Sequence, residues 1–356
     1  MRLHNLTIRN FRNLASVDIE IPDSGVVIIG DNGQGKTNLL EAIYYLVLFR
    51  SFRGARDRDL VRFGEAGFFI AGDADPRITV GYEAMGKRKK VTSRGAEVKR
   101  LSDAVGLVTA VALAPADRAL VDGGPASRRR YLDVLLSLSS PGYLKLLSEW
   151  RAVIRQRNAA LKGGAKTAAQ AFDSALAVVS HQIARTRNDW ISGCRSQFTE
   201  LCHAMGEDGK PGISYYSRHW IPFEGPDGIE RVLKAKIERD LRRGTTTVGP
   251  HRDDLILTLR GKDIRKFGSA GQQRTAAIAL RMLEAQSLER THHTRPIALF
   301  DDVFTELDQG RQERLLRLIN EALPGQAIIT APRDAEVPPA LFDRPRWGMV
   351  GGRLEQ

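Results

Sequence analysis

The sequence has little cysteine and no long apolar run, and both absences narrow what the chain can be. Its 356 residues include two cysteines, Cys194 and Cys202, which excludes a disulfide framework and predicts two small core residues on one helix face. The longest apolar run, residues 42–49, is far shorter than the roughly 20 residues that a membrane span needs. The opening MRLHNLTIRN lacks the apolar core of an export signal. We therefore expect a cytoplasmic protein that does not enter a membrane.

The sequence is also short of acidic residues relative to basic ones. Lys and Arg number 54 and Asp and Glu number 42, so the formal net charge is +12. The excess is clustered, because residues 85–100 hold seven basic and one acidic side chain (+6) and residues 126–166 hold nine and two (+7). Binding to a polyanion releases counterions from its phosphates, so clusters of this sign favour a nucleic-acid partner. A surface that serves solubility alone is the alternative.

Apolar spacing and helix-forming composition predict three parts along the chain. Residues 68–107 read as strands with turns, after which the chain becomes mainly helical before strands return. Further strands are predicted at residues 17–21, 26–29, 255–259, 296–300 and 327–330, and helices at 36–48, 143–161, 168–205, 227–241 and 308–323. We expect an α/β head formed by residues 1–112 and 246–356. Residues 113–245 would be an inserted, mainly α-helical lobe with a short helical arm.

Residues 30–37, GDNGQGKT, fit the phosphate-loop pattern G-x-x-x-x-G-K-[ST] between an apolar strand and an uninterrupted helix. In such a loop the glycines let backbone N–H groups close around phosphates, and the positive end of the following helix adds to the attraction. Lys36 is predicted to reach the β- and γ-phosphates of ATP, and Thr37 to supply a ligand to Mg²⁺. The predicted nucleotide-binding residues are Gly30, Asp31, Asn32, Gly33, Gln34, Gly35, Lys36 and Thr37.

Residues 297–302, IALFDD, are an apolar strand that ends in two carboxylates. Ligands of open α/β sheets bind at the carboxyl ends of the strands, so both acids are placed for catalysis. We predict that Asp301 holds magnesium through water and that Asp302 orients or deprotonates the attacking water.

Residues 268–275, GSAGQQRT, are a small-residue turn that opens a helix. A hydroxyl, free N–H groups and the helix dipole make such a turn an anion site, so we predict nucleotide contacts from Ser269, Gly271 and Gln272, with a catalytic role for Ser269. A phosphate loop, then this turn, then a two-acid strand is the order that defines the ABC class of ATPases.

Motifs along the whole chain resemble those of the RecF family, bacterial DNA-repair ATPases. The matching blocks are LTIRNFRNL at 6–14, GDNGQGKTNLLEAIYYL at 30–46, APADRALVDGGPASRRRYLD at 114–133, RQRNAALK at 155–162, TVGPHRDDL at 247–255, SAGQQR at 269–274 and LFDDVFTELD at 299–308. The family is similar to the heads of SMC proteins but lacks their long coiled coil, which agrees with a short arm.

The resemblance implies a homodimer that forms when ATP and Mg²⁺ bind between two protomers. The Ser269 turn of one chain would close on the γ-phosphate held by the other chain's loop, and Glu306 would lie in a second acidic loop. The resemblance also implies work in replication-linked repair and the SOS response, with RecR and RecO as partners that help load RecA onto gapped DNA. His251 and Arg252 lie in a matching block, but the pattern assigns them no role.

One departure from the ABC pattern bears on the rate of hydrolysis. ABC transporter subunits carry a histidine after the strand that follows the two-acid motif, whereas this chain reads IITAPRD at residues 328–334. We therefore expect slow hydrolysis, with ATP acting more as a dimerisation switch than as fuel. An ABC transporter subunit and a scaffold without significant hydrolysis are the rival functions. The net charge and the inserted arm speak against the first, and the acid pair against the second.

The basic clusters supply candidate DNA contacts. Arg128, Arg129 and Arg130 open a helix, where they could grip DNA or pair with acids of the same lobe, and both readings stay open. Residues 87–90, KRKK, are predicted to form a hairpin turn. The candidate DNA contacts in that turn are Lys87, Arg88, Lys89 and Lys90.

Overall fold

The computed structural model describes residues 1–217, 224–305, 307–322, 325–341 and 343–356. These residues form two compact units. The α/β unit comprises Met1–Asp117, Ala204–Gly206 and Ile278–Gln356, and the helical unit comprises Arg118–His203 and Glu207–Ala277. Residues 246–277 therefore belong to the helical unit, whereas the sequence patterns group them with the head. The predicted division of the chain into a head and an inserted lobe stays a prediction.

One sheet of the α/β unit is antiparallel. Its strands in the described part of the chain are β1 (Asn5–Phe11), β2 (Leu14–Glu20), β4 (Gly67–Asp73), β5 (Ile78–Glu83), β6 (Arg88–Ser93) and β7 (Ala96–Glu97), in the order β2-β1-β4-β5-β6-β7. The prediction that residues 87–90 form a turn is wrong for three of the four residues, because β5 pairs with β6 from Arg88 onward. Long basic side chains suit such a strand, since their stems cover apolar surface while their charged ends reach water.

The second sheet of the α/β unit is mostly parallel. Its described strands are β3 (Gly25–Ile29), β8 (Ala110–Leu113), β12 (Ile297–Phe300), β13 (Ala327–Ala331), β14 (Arg346–Val350) and β15 (Arg353–Glu355), in the order β15-β14-β3-β13-β12-β8. Only the β14–β15 pair is antiparallel. Helices α1 (Lys36–Leu48) and α10 (Gln309–Ala322) follow β3 and β12. The strand and helix predictions here are confirmed, although Leu323 lies outside the described residues. The carboxyl ends of β3, β12 and β13 meet at one edge, which positions the site.

The helical unit combines helices with a small sheet. The helices are α2 (Pro125–Ser139), α3 (Pro141–Lys162), α4 (Lys166–Gln170), α5 (Asp173–Gly193), α6 (Arg195–Ala204), α7 (Gly225–Arg243) and α8 (Ile264–Phe267), and α9 (Ala270–His292) begins here. Strands β9 (Pro211–Tyr216), β10 (Asp254–Leu259) and β11 (Lys262–Asp263) pair in the order β11-β10-β9. Buried apolar side chains of α5, α7 and the loop before β10 share one core, among them Leu176, Ala184, Leu233 and Val248.

The helical stretch predicted at residues 168–205 is broken twice, so that prediction is corrected. The chain leaves the helix at Ala171–Phe172 and again at Cys194, where the backbone adopts φ −107 and ψ 7 after Gly193. Glycine weakens a helix because it loses more backbone entropy than other residues, which accounts for the second break. Cys194 and Cys202 are both buried, as predicted, but Cys194 lies at this break and not on the helix that holds Cys202. Across the described helices, none combines the length and apolarity that crossing a membrane requires.

Candidate nucleotide-binding site

The phosphate loop lies between the end of β3 and the first turn of α1, and its backbone requires glycine. Gly33 and Gly35 have φ of 82 and 119, a region that side chains with a Cβ rarely adopt. A Cβ on Gly35 would also lie 2.9 Å from both polar atoms of the Asn13 amide. The loop can therefore hold its shape only because these two positions lack side chains.

The loop is held from outside by residues that sequence reasoning did not single out. Asn13 Nδ2 donates to the carbonyl of Gln34 at 3.0 Å, and Gly352 N donates to the same oxygen at 2.8 Å. Gly351 N donates to Gln34 Oε1 at 2.6 Å. The β1–β2 turn and the β14–β15 hairpin thus fix the loop before any ligand arrives. Asn13 falls inside the block LTIRNFRNL, which was the available signal.

Lys36 lies at the base of the loop with its ammonium turned towards oxygen atoms. Its Nζ donates to the carbonyls of Gly30 at 2.6 Å and Asp31 at 3.2 Å. Asp302 Oδ2 is 3.8 Å away, and the Lys36 side chain is 4% exposed. The structure therefore brings the loop lysine beside the second acid of the two-acid strand, as the motif order predicts.

The first acid of that strand contacts the loop directly. Thr37 Oγ1 donates to Asp301 Oδ1 at 2.8 Å. Thr330, at the end of the neighbouring strand β13, places its Oγ1 3.1 Å from Asp301 Oδ1 and 3.0 Å from Asp302 Oδ1. The same hydroxyl accepts from Asp302 N at 3.0 Å. Thr330 thus positions both carboxylates, and sequence reasoning missed it although parallel strands end at one edge of a sheet.

The chemistry of these groups fits a magnesium ion bound with a nucleotide. Burial raises the pKa of Asp301, with the Asp302 charge acting the same way and the hydrogen bond from Thr37 acting against it. A cation beside this carboxylate would offset the cost of burying its charge. No group of three or more His, Cys, Asp or Glu side chains in the described residues could hold a metal ion. Mg²⁺ does not need such a group, because it is usually held by one or two carboxylates, waters and phosphate oxygens.

The Ser269 turn is a capping box at the start of α9. Ser269 N donates to Gln272 Oε1 at 2.9 Å, and Gln272 N donates to Ser269 Oγ at 3.3 Å. Such reciprocal bonds satisfy two of the free N–H groups at a helix start. Ser269 is exposed and Gly271 is half-buried, and the turn belongs to the helical unit. Its predicted contact with a nucleotide stays a prediction. Glu306, predicted for the second acidic loop, lies outside the described residues.

Comparison with known proteins agrees with this geometry. A family model described as RecF/RecN/SMC N terminal domain matches residues 2–340. The DNA replication and repair protein RecF of Halalkalibacterium halodurans is 36% identical over 350 residues, which cover 93% of this chain and 92% of that protein. The chain belongs to the RecF family.

Solved structures confirm the predicted fold class. A structure of the recombination mediator protein RecF-ATP in the RecFOR pathway is 29% identical, has a TM-score of 0.90, and aligns over 99% of this chain and 96% of that one. The Smc head domain of Pyrococcus furiosus is 15% identical with a TM-score of 0.56, over 99% of this chain and 95% of that one. The fold is therefore the ABC-type ATPase head that RecF and SMC proteins share.

Arg128 was one of three candidate DNA contacts at the start of α2, and the structure corrects that prediction. In this RecF-family chain Arg128 is 3% exposed. Its Nε and Nη2 donate to the two oxygens of Asp254 at 2.7 and 2.9 Å. The half-buried Arg129 donates to the carbonyl of Asp253 at 2.8 Å, whereas Arg130 is exposed. Arg128 therefore pairs with an acid of its own unit, and Arg130 is the member of the triplet that lies at the surface.

The second basic cluster divides in the same way. Lys89 Nζ donates to the carbonyl of Phe49 at 2.6 Å, pairs with Asp57 Oδ2 at 2.8 Å and lies 5.1 Å from the centre of the Tyr45 ring. Its side chain is 15% exposed, so the prediction that Lys89 contacts DNA is wrong. The candidates that remain exposed are Lys87, Arg88 and Lys90.

The RecF block TVGPHRDDL connects several elements of the helical unit, which gives His251 a structural setting. His251 Nε2 lies 3.0 Å from the carbonyl of Thr246, and its ring centre is 5.3 Å from that of Trp150 on α3. Arg187 of α5 donates to the carbonyl of Pro250 at 2.8 Å. Burial lowers the pKa of His251 to about 4. The block therefore packs as an internal connection, while Arg252 is exposed.

Proposed function

We propose that this chain is an ATP-gated dimeric DNA clamp of recombinational repair and replication, with weak, DNA-dependent ATP hydrolysis. It would act in the cytoplasm with RecR and RecO, help load RecA at single-strand gaps and support the SOS response. RecF-family membership supports this reading, because relatives carry the name DNA replication and repair protein. A related solved structure is named for ATP and for the RecFOR pathway.

The observation that carries the nucleotide part is the 2.8 Å hydrogen bond from Thr37 to Asp301. It joins the phosphate loop to the two-acid strand, and a magnesium-bound nucleotide needs both on one side. We assign Lys36 to the terminal phosphates, and Thr37 and Asp301 to Mg²⁺, which would neutralise phosphate charge. Asp302 would hold the attacking water and accept its proton, with its carboxylate oriented by Thr330.

The dimer part of the proposal rests on two anion-seeking helix starts in one chain. Residues 30–37 already form one phosphate cradle, and Ser269 opens a second helix at the surface of the helical unit. Two such sites make sense if each nucleotide is enclosed by one site from each protomer. The DNA part rests on the net charge of +12 and on the exposed cations Arg130, Lys87, Arg88 and Lys90.

Light scattering would test the clamp directly. Wild type should be monomeric without nucleotide and dimeric with ATP and Mg²⁺, and DNA should stabilise the dimer. Asp302→Asn should bind ATP, hydrolyse it about a hundredfold more slowly or worse and keep the dimer closed, because the water-activating carboxylate is gone. A chain that stays monomeric in saturating ATP, Mg²⁺ and DNA would contradict the clamp.

Ser269→Arg separates closure from nucleotide binding. The larger side chain should block the dimer by bulk and leave ATP binding through Lys36 intact. Mixing Ser269→Arg chains with Lys36→Ala chains puts both defects into one composite site and leaves the other whole, so some hydrolysis should return. A mixture that stays inactive while wild type dimerises would argue against independent shared sites.

A further inference from the structure

Two apolar side chains of the α/β unit stand almost fully in solvent. Phe63 is 103% exposed and Met85 is 93% exposed, the highest values among the large apolar side chains that the structure describes. Single exposed apolar residues are common, whereas exposed apolar patches rimmed by polar residues mark interaction sites. We call the surface formed by Arg62, Phe63, Met85, Lys87 and Arg88 the strand-end surface.

Strand pairing brings the two segments together. Gly67 of β4 pairs with Glu83 of β5, and beyond that pair Ala84 N donates to the carbonyl of Ala66 at 2.8 Å. The loop before β4 and the hairpin after β5 therefore lie side by side at one end of the antiparallel sheet. Phe63 lies in the first segment and Met85 in the second.

The loop that carries Phe63 is fixed although its ring is exposed. Arg62 N donates to the carbonyl of Asn10 at 2.9 Å, and Asn10 Nδ2 donates to Glu65 Oε2 at 3.0 Å. Glu65 N donates back to the carbonyl of Arg62 at 3.1 Å. The aromatic ring is therefore presented to solvent from a braced backbone, which lowers the entropy lost when a ligand packs on it.

Basic side chains outnumber acidic ones beside the two apolar side chains. The acidic ones are Glu65 and Glu83, which are both exposed. Residues 84–90 read AMGKRKK, which contains no acidic residue, and Lys87, Arg88 and Arg62 are exposed. Protein–protein interfaces are enriched in aromatic residues, methionine and arginine, but they are depleted of lysine, which this surface carries at Lys87. An aromatic ring flanked by cations instead matches the way proteins hold single strands, with stacked bases and neutralised phosphates.

We propose that the strand-end surface binds a single-stranded segment of DNA, with a base stacked on Phe63, Met85 packed beside it, and Lys87 and Arg88 at the phosphates. In a duplex each base face is covered by its neighbours, so an exposed ring finds a free face on an unpaired base. This inference rests on the DNA-binding part of the proposed function. It adds the strand form and the residues that contact it.

The test compares three DNA ligands of equal length by fluorescence anisotropy, with the full chain, ATP and Mg²⁺. The ligands are an oligo(dT) strand, a duplex, and a strand with abasic sites in place of the bases. Phe63→Ala should weaken binding to oligo(dT) on the order of tenfold, since one stacked base contributes on that scale. Its affinity for the duplex and for the abasic strand should equal that of wild type.

Matched variants sharpen the comparison. Phe63→Trp keeps a stacking ring and should retain wild-type affinity for oligo(dT). Phe267→Ala removes another exposed phenylalanine, 70% exposed in the helical unit, and should change nothing. Replacing Lys87 and Arg88 by Gln should weaken binding to the oligo(dT) and abasic strands alike. It should also make the logarithmic salt slope on single strands shallower by about 0.7 for each lost phosphate contact.

Each other outcome overturns the inference. Equal losses on the abasic strand or on the duplex would mean that Phe63 does not stack on a base. A loss of the ATP-dependent dimer in Phe63→Ala would place a second copy of the chain on this surface instead. If wild type binds no DNA at low salt, the proposed function fails as well. If wild type binds and Phe63→Ala binds equally, the inference alone fails.

Discussion

The phosphate loop and the cluster around Arg157 in the helical unit each contain a buried cation near carboxylates, yet they differ in how far the carboxylates neutralise that cation. Arg157 of α3 is fully buried and donates at 2.8 Å to Asp173, to Asp240 and to Thr246. Lys36 is also buried, but its close partners are two backbone carbonyls, and its carboxylate lies 3.8 Å away. Two carboxylates of its own unit therefore neutralise the first cation, although its Nη2 has no hydrogen-bond partner in the described structure. The second cation keeps attraction available for a phosphate.

A basic cluster in a sequence is therefore not by itself a binding surface. Residues 126–166 carry a surplus of +7, but Arg128 and Arg157 in that range pair with internal acids. Arg187 of α5 likewise pairs with Asp133 at 2.7 Å. What separates a structural cation from a ligand-binding one is the set of partners that the fold supplies.

Arg157→Met should have the largest effect on stability. It would leave Asp173 and Asp240 buried without their cation, and breaking a buried pair from one side costs about 3–5 kcal/mol. Burial already raises the pKa of Asp173, against the effect of Arg157. Urea unfolding followed by circular dichroism would measure the loss in free energy of unfolding.

Arg155 on the same helix is exposed and serves as the control. Arg155→Met should change the free energy of unfolding by less than about 0.5 kcal/mol, as surface substitutions usually do. ATP affinity measured on folded Arg157→Met should match that of wild type. If Arg157→Met lowers the free energy of unfolding by less than about 1 kcal/mol, the proposed contrast between Arg157 and Lys36 is wrong.

Lys36→Ala should show the reverse pattern. Without its ammonium, ATP affinity should fall on the order of a hundredfold or more, about 2.7 kcal/mol, while the free energy of unfolding changes by less than about 1 kcal/mol. Isothermal titration calorimetry and urea unfolding would give the two numbers. Unchanged nucleotide affinity would refute the assignment of residues 30–37.

Lys89 is the matched lysine in the same unit, because its ammonium pairs with the Asp57 carboxylate at 2.8 Å and donates to the carbonyl of Phe49. Lys89→Ala should lower the free energy of unfolding by about 1.5–3 kcal/mol, the range for hydrogen bonds to charged groups. Its ATP affinity should be unchanged. If Lys36→Ala and Lys89→Ala change stability and ATP affinity alike, close pairing with a carboxylate does not distinguish the two lysines.

Local sequence patterns predict some parts of this structure, whereas contacts between distant residues lie beyond them. The strand–loop–helix at residues 25–48 and the two-acid strand depend on local pattern, and the structure has them where the pattern places them. The bond between Arg128 and Asp254 joins residues 126 positions apart, so neither residue's neighbours carry a signal for it. The bracing of Gln34 by Gly352 depends on tertiary packing, which apolar periodicity does not encode. The break at Cys194 follows Gly193, a local signal that the apolar stripe outweighed.

Thr330 lay beyond local pattern for that reason, and its removal should have a moderate effect. Thr330→Val keeps the shape but loses the hydroxyl that lies 3.1 and 3.0 Å from the two carboxylates. We expect hydrolysis to fall about tenfold, roughly 1.4 kcal/mol in the barrier, through misplacement of Asp302, with ATP affinity nearly unchanged. Thr109→Val is the control, since the buried Thr109 hydroxyl has no hydrogen-bond partner in the described structure, and it should leave hydrolysis unchanged. A wild-type rate in Thr330→Val would show that Asp302 is held by other contacts.

The smallest expected effect concerns His251, the half-buried histidine of the block TVGPHRDDL. Burial lowers the pKa of His251 to about 4 in the folded chain, against about 6.5 in an unfolded one. The unfolded state therefore takes up the proton first as pH falls, so the stability present above pH 6.5 declines until about pH 4. At pH 5.5 the loss should be about 1 kcal/mol relative to pH 7.

His251→Phe keeps a ring beside Trp150 and has no proton to gain, so its free energy of unfolding should fall less over this interval. Urea unfolding at pH 7 and pH 5.5 measures the difference. Equal declines in the two proteins would mean that burial does not hold His251 neutral in the folded chain.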